Sequence, residues 1–119
     1  MRLFLLASAA VLTATSASAD TWSAAYDGTI LSTYSDGHVV KVYVNADHSY
    51  SIALPNGGVL KGTWADSGDQ SCFTITDPPP KPGTSAQPVC LPVKEYKVGD
   101  SFQGEDPTGK FTGVIQAGR

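Results

Sequence analysis

The sequence predicts an all-β domain of about eight short antiparallel strands, closed into a small barrel or stacked as a sandwich. Three observations carry this expectation. Turn-forming residues recur about every eight to twelve positions. Between the turns, apolar and polar side chains alternate, the period of a strand with one buried face. Beyond the first nineteen residues, no stretch carries the 3.6-residue apolar period of a helix.

The strands follow in order. "GTILSTY" and "HVVKVYV" flank Ser35-Asp36-Gly37, a hairpin turn in which Asp and Gly tolerate positive φ. Asn45-Ala46-Asp47 leads into "HSYSIAL", and Pro55-Asn56-Gly57-Gly58 into "VLKGTW". Asp66-Ser67-Gly68-Asp69 precedes "SCFTIT". After a long connection come "VCLPV" and "SFQG", and Asp106-Pro107-Thr108-Gly109 precedes "KFTGVIQ". Alternation groups Tyr50, Ile52 and Leu54 on one face, then Leu60, Gly62 and Trp64, then Phe73 and Ile75, then Val89, Leu91 and Val93, then Phe111, Gly113 and Ile115. Trp64 and Phe73 are therefore expected in the core. Pro92 has no N–H to give a neighbour, so its strand is expected at a sheet edge.

The chain opens with Arg2, an apolar run from Leu3 to about Thr13, and Ala17-Ser18-Ala19. This is the three-part form of a secretory signal, with cleavage between Ala19 and Asp20. The run is too short to span about 30 Å of hydrocarbon as a helix. The domain division is thus 1–19 signal peptide and 20–119 one exported β domain, periplasmic or secreted. The segment removed holds one basic and no acidic residue, so the net charge goes from −3 to −4. With six lysines spread singly along the chain, this balance argues against a nucleic-acid partner, which calls for a clustered basic patch. No later stretch suits stable membrane insertion, and a monomer is expected.

The two cysteines, Cys72 and Cys90, are expected to form a disulfide, since exported proteins mature in an oxidising compartment. Each lies on the face opposite its strand's apolar residues, so paired strands would bring them together on the outer face. They lack the C-x-x-C spacing of a redox pair. A metal site would need more ligands than the two histidines supply. His38 and His48 begin consecutive strands and fall roughly 20 Å apart across a hairpin. No metal and no cofactor are expected.

Catalytic patterns are equally thin. No G-x-S-x-G occurs, and Ser67 reads as a turn residue. Most carboxylates sit beside glycine in turns, where water keeps them ionised, and a glycosidase pair needs one in an apolar pocket. Asp100 and Glu105 near Phe102 are the nearest approach. An enzyme is not expected.

Two features remain as binding candidates. The connection Pro78 to Pro88 holds Pro79, Pro80, Lys81 and Pro82. Its prolines favour an extended form, and the disulfide would pin its base, preorganising it for a partner. The alternative is a plain long hairpin connection. The second candidate is the face carrying Val39, Lys41 and Tyr43, opposite Val40, Val42 and Val44.

Gly62-Thr63-Trp64 resembles the G-x-W of lipocalin-like and avidin-like barrels, although there the motif belongs to the start of the barrel. More broadly, Asp36-Gly37, Asp47-His48-Ser49-Tyr50, Gly58 to Trp64, Cys72-Phe73-Thr74, Cys90-Leu91-Pro92 and Gly99-Asp100-Ser101-Phe102 follow one another as in a group of uncharacterised small exported β-domain proteins of Gram-negative bacteria. That resemblance implies an exported β domain and brings no catalytic residues with it.

The leading functional expectation is non-catalytic binding of a protein partner outside the cytoplasm, inhibition of an envelope enzyme being one form. The second is a carrier of a small apolar ligand, in the manner of a lipocalin-like barrel. The third is a structural envelope component without a dedicated ligand. A deep apolar cavity would favour the carrier, and a filled core beneath a projecting proline loop would favour the protein binder.

Overall fold

The computed structural model describes residues 21–83 and 88–119. The signal-peptide reading of residues 1–19 and part of the proline-rich connection lie outside the described residues. A 3-10 turn, Ser23–Ala25, is followed by β1 (Gly28–Tyr34), β2 (Val39–Val44), β3 (Ser49–Ala53), β4 (Val59–Ser67), β5 (Gln70–Asp77), β6 (Val89–Pro92), β7 (Ser101–Asp106) and β8 (Gly109–Ala117). All pairings are antiparallel, in the order β6-β5-β4-β3-β2-β1-β8-β7. The two edge strands, β6 and β7, come together without a hydrogen-bonded ladder. The sheet therefore curls into a nearly closed barrel. Pro92 sits on an edge strand, where its missing N–H breaks no ladder.

The alternation read from the sequence sets the inner face. Residues Ile30, Val40, Val44, Tyr50, Trp64, Phe73, Leu91 and Ile115 are buried. The turns also form as their residues dictate. Asp36, Asp47, Asn56 and Asp106 each accept the backbone N–H two residues on, the Asx-turn habit of these side chains. Gly37 takes φ +95° in the first hairpin, a region that L-residues with a Cβ avoid.

Three inward aromatic rings have a specific arrangement. Tyr50 pairs across the ladder with Gly62, Phe102 with Gly113, and Phe111 with Gly104. A Cβ added at any of these glycines would come within 2.5–2.7 Å of the ring opposite it. Each ring therefore lies flat over its glycine, along the wall instead of across the lumen. Burial against the neighbouring strand stabilises the sheet, while the middle of the barrel stays open.

The barrel has two unlike ends. At one end lie the 3-10 turn, the β2–β3 and β4–β5 turns, and the chain between β6 and β7. Here Trp22 is fully buried, stacked on Tyr96 at 4.3 Å and edge-on to Phe73 and Phe102, both at 5.4 Å. Its Nε1 donates to Ser71 Oγ at 2.9 Å, and Ser71 Oγ donates to Asp66. Arg119 also ties this end together. Its guanidinium donates to the carbonyls of Gly28, Ala25 and Val44 and to Asn45 Oδ1, at 2.6–3.1 Å. These bonds join the 3-10 turn, β1 and the β2–β3 turn into a floor.

At the other end the β1–β2, β3–β4 and β7–β8 turns and the start of the proline-rich connection surround an opening. The two ends follow from the up-and-down order, which sends successive turns alternately to floor and mouth.

Candidate functional site

Between floor and mouth lies a cavity of about 470 Å³. Trp22, Phe73 and Leu91 line its lower part, and Ile30, Val42, Ile52, Leu60 and Ile75 its wall. Several of these side chains, Val42, Ile52, Leu60 and Ile75 among them, stay half-exposed although they point inward. The reason is geometric. Eight strands give a lumen just wide enough to be filled by side chains or to hold one small ligand. Here the three ring-over-glycine pairs and the β-branched wall residues leave it unfilled.

The mouth is where polarity enters. Tyr34 and His38 from the first hairpin, Asp106 and Thr108 from the last, and Pro78 and Pro80 from the β5–β6 connection all border the cavity. Tyr34 OH donates to Asp106 Oδ2 at 2.5 Å. Asp106 Oδ1 also accepts the backbone N–H and hydroxyl of Thr108, at 2.8 and 2.6 Å. The His38 ring stacks on Tyr34 at 4.3 Å, and its Nδ1 is bonded to Asp36 Oδ1. Burial, followed by the bonded Asp106 carboxylate, holds the Tyr34 hydroxyl well above its ordinary acidity range. Burial alone pushes Tyr50 up to about 12. Both phenols stay neutral donors at physiological pH.

The residues singled out in the sequence fall in different places. Cys72 and Cys90 are bonded and face each other directly across β5 and β6, on the outer face as expected. Pro80 borders the cavity mouth, while Pro79, Lys81 and Pro82 are exposed beside it. Val39, Lys41 and Tyr43 lie on the outside of β2, away from the cavity; it is the other face of that strand, Val40 and Val42, that lines it. Tyr43 lies beneath the Arg119 guanidinium, 5.4 Å from the ring centre. His38 and His48 occupy opposite ends of the barrel, and His48 stacks on Trp64 at 4.2 Å. Among the described residues no three His, Cys, Asp or Glu side chains cluster to hold a metal.

Sequence reasoning missed Trp22, which precedes the first strand and takes part in no alternation. It also missed Asp106 as a lining residue, having read it only as a turn former. The phase of β7 could have revealed it, because Phe102, Gly104 and Asp106 share one face.

No protein-family model, curated protein or solved structure matches this chain.

Proposed function

We propose that this barrel is a non-catalytic binding protein for a small, mainly apolar molecule held in its interior. The observation that carries the reading is the open cavity of about 470 Å³ with an almost wholly aliphatic and aromatic lining. That volume lies in the usual range for small-molecule sites, roughly 300–1,000 Å³. Apolar cavities take up apolar guests readily; one of about 150 Å³ is enough to hold benzene. At about 30 Å³ per non-hydrogen atom, the water-like share, the space suits a guest of about fifteen such atoms. The disulfide and the secretory-type leader sequence support an extracytoplasmic setting. Among the described residues no helix is long and apolar enough to cross a membrane.

In this reading the proline-rich connection serves the mouth. Pro78 and Pro80 form part of its rim, where a stiff backbone keeps the opening in shape. A protein-binding role for the loop lacks the filled core that would have favoured it.

The test is a titration with N-phenyl-1-naphthylamine, an apolar dye that fluoresces on leaving water. A saturable rise is expected, with a dissociation constant of about 10 µM or lower. Ile52→Trp, which puts an indole into the lumen, should abolish it. Val39→Ser and Lys41→Ser, on the outer face, should leave it unchanged. A dye signal that survives Ile52→Trp and is lost with the outer-face changes would move the site outside the barrel.

A further inference from the structure

Most of the polar side chains of the cavity gather at its rim. At the mouth the polar side chains are acceptors or already spend their protons on a neighbour, while the hydroxyls of Ser32 and Tyr50 lie deeper in the cavity. Tyr34 gives its proton to Asp106, Thr108 gives both of its protons to Asp106, and His38 Nδ1 is engaged by Asp36. A carboxylate has about four acceptor positions. Three donors reach Asp106, two at Oδ1 and one at Oδ2, so Oδ2 keeps room for one more. Among the described residues, Asp106 is the one carboxylate that lines the cavity, and no lysine or arginine lines it. An amphiphile with an anionic head would meet that carboxylate with no lining cation to offset it, since Lys81 lies beside the mouth and does not line the cavity. A head that is both cationic and a donor would complete the hydrogen bonding of Asp106 and rest beside the Tyr34 and Phe111 rings, whose faces attract cations.

Building on the ligand-binding reading, we infer that the cavity takes an apolar amine, its hydrocarbon body in the lumen and its ammonium group bonded to Asp106 at the mouth. The ammonium donates one N–H to Oδ2, and its remaining N–H groups face the water of the opening. Charge-assisted bonds of this kind are about twice as strong as neutral ones, and at the open mouth they are weakened by salt. Tyr34, held protonated, orients the carboxylate without competing as an anion.

The experiment compares three probes of one chain length, decylammonium, decanol and decanoate, the two ions below their micelle concentrations and decanol below its solubility limit, each read by displacement of the bound dye. Decylammonium is expected to bind at least about tenfold more tightly than decanoate, and more tightly than decanol. Asp106→Asn keeps an acceptor but removes the charge. It should cut decylammonium affinity about tenfold and leave decanol within about twofold. Val39→Ser, on the outer face of β2 and away from the cavity, should keep the preference. If Asp106→Asn fails to fold, the native protein still answers. Raising sodium chloride from about 20 to 500 mM should weaken decylammonium and spare decanol, because salt screens only the charged head. Decanol bound as tightly as decylammonium, decanoate bound most tightly, or a preference unmoved by salt and by Asp106→Asn would each overturn the amine assignment alone. Failure of all three probes, together with failure of the dye, would overturn the cavity reading beneath it as well.

Discussion

Replacing Trp22 with alanine is expected to destabilise the domain by about 3–5 kcal/mol. The ring is fully buried at the floor of the barrel and touches three other rings. Stacked and edge-on pairs each add about 0.5–1.5 kcal/mol beyond the area they bury. Alanine would also remove the Nε1 donor that reaches Ser71. It would open the floor, so no neighbour could collapse into the space without dragging a strand. Small domains are stable by only about 5–15 kcal/mol, and each kcal/mol moves the melting point of one this size by roughly 4–8 °C. A fall of at least about 12 °C should follow. Urea unfolding followed by far-ultraviolet circular dichroism checks it, with Trp22→Phe expected to lose much less. A loss under about 1 kcal/mol would mean that the floor is not built around this ring.

Removing the disulfide, by Cys72→Ser with Cys90→Ser, should cost about 3 kcal/mol. The bond closes a chain separation of 18 residues, and loops of this size lose about that much unfolded-chain entropy when tied. The folded side adds a reason. β6 is four residues long and hydrogen-bonded on one side only. Its partner on the other side, β7, meets it through side chains such as Leu91 packed near Gly104. The disulfide holds this edge strand in register, and Val89 and Leu91 on it line the cavity. The double-serine protein should therefore also bind the dye more weakly. Urea midpoints measured with and without reductant should differ for the native protein and coincide for the variant. Coincidence for both, or thiols open to alkylation in the folded native protein, would remove the disulfide from the account.

Much of this fold is legible locally. Strand positions follow from alternation, the hairpins from Asp-Gly and Asn-Gly pairs, and the cysteine pairing from two residues sharing the outer face of adjacent strands. Trp64 and Phe73 are buried as their alternation predicts. The floor is another matter. Trp22 is buried only because the barrel closes over it, bringing Phe73 together with Tyr96 and Phe102 from further along the chain. No local period encodes that. Arg119 is similar: it binds three backbone carbonyls that only the folded barrel gathers. The cavity depends on a sum over all eight strands, the lumen's width less the volume of the inward side chains. The pairs Tyr50–Gly62, Phe102–Gly113 and Phe111–Gly104 decide that sum. Each residue is visible in the sequence, but the register that sets ring over glycine is not. This is why the sequence could only pose barrel against sandwich and carrier against protein binder.

The most direct test of the central claim is a carbon-13 methyl titration by nuclear magnetic resonance. The isoleucines serve as reporters, because Ile30, Ile52 and Ile75 all line the cavity. Added decylammonium should shift these three methyl signals together, along one saturating curve, and leave Val39 on the outer face still. Shifts confined to Val39 and its outer-face neighbours, or isoleucine methyls unmoved at saturating probe, would contradict a binding site inside the barrel.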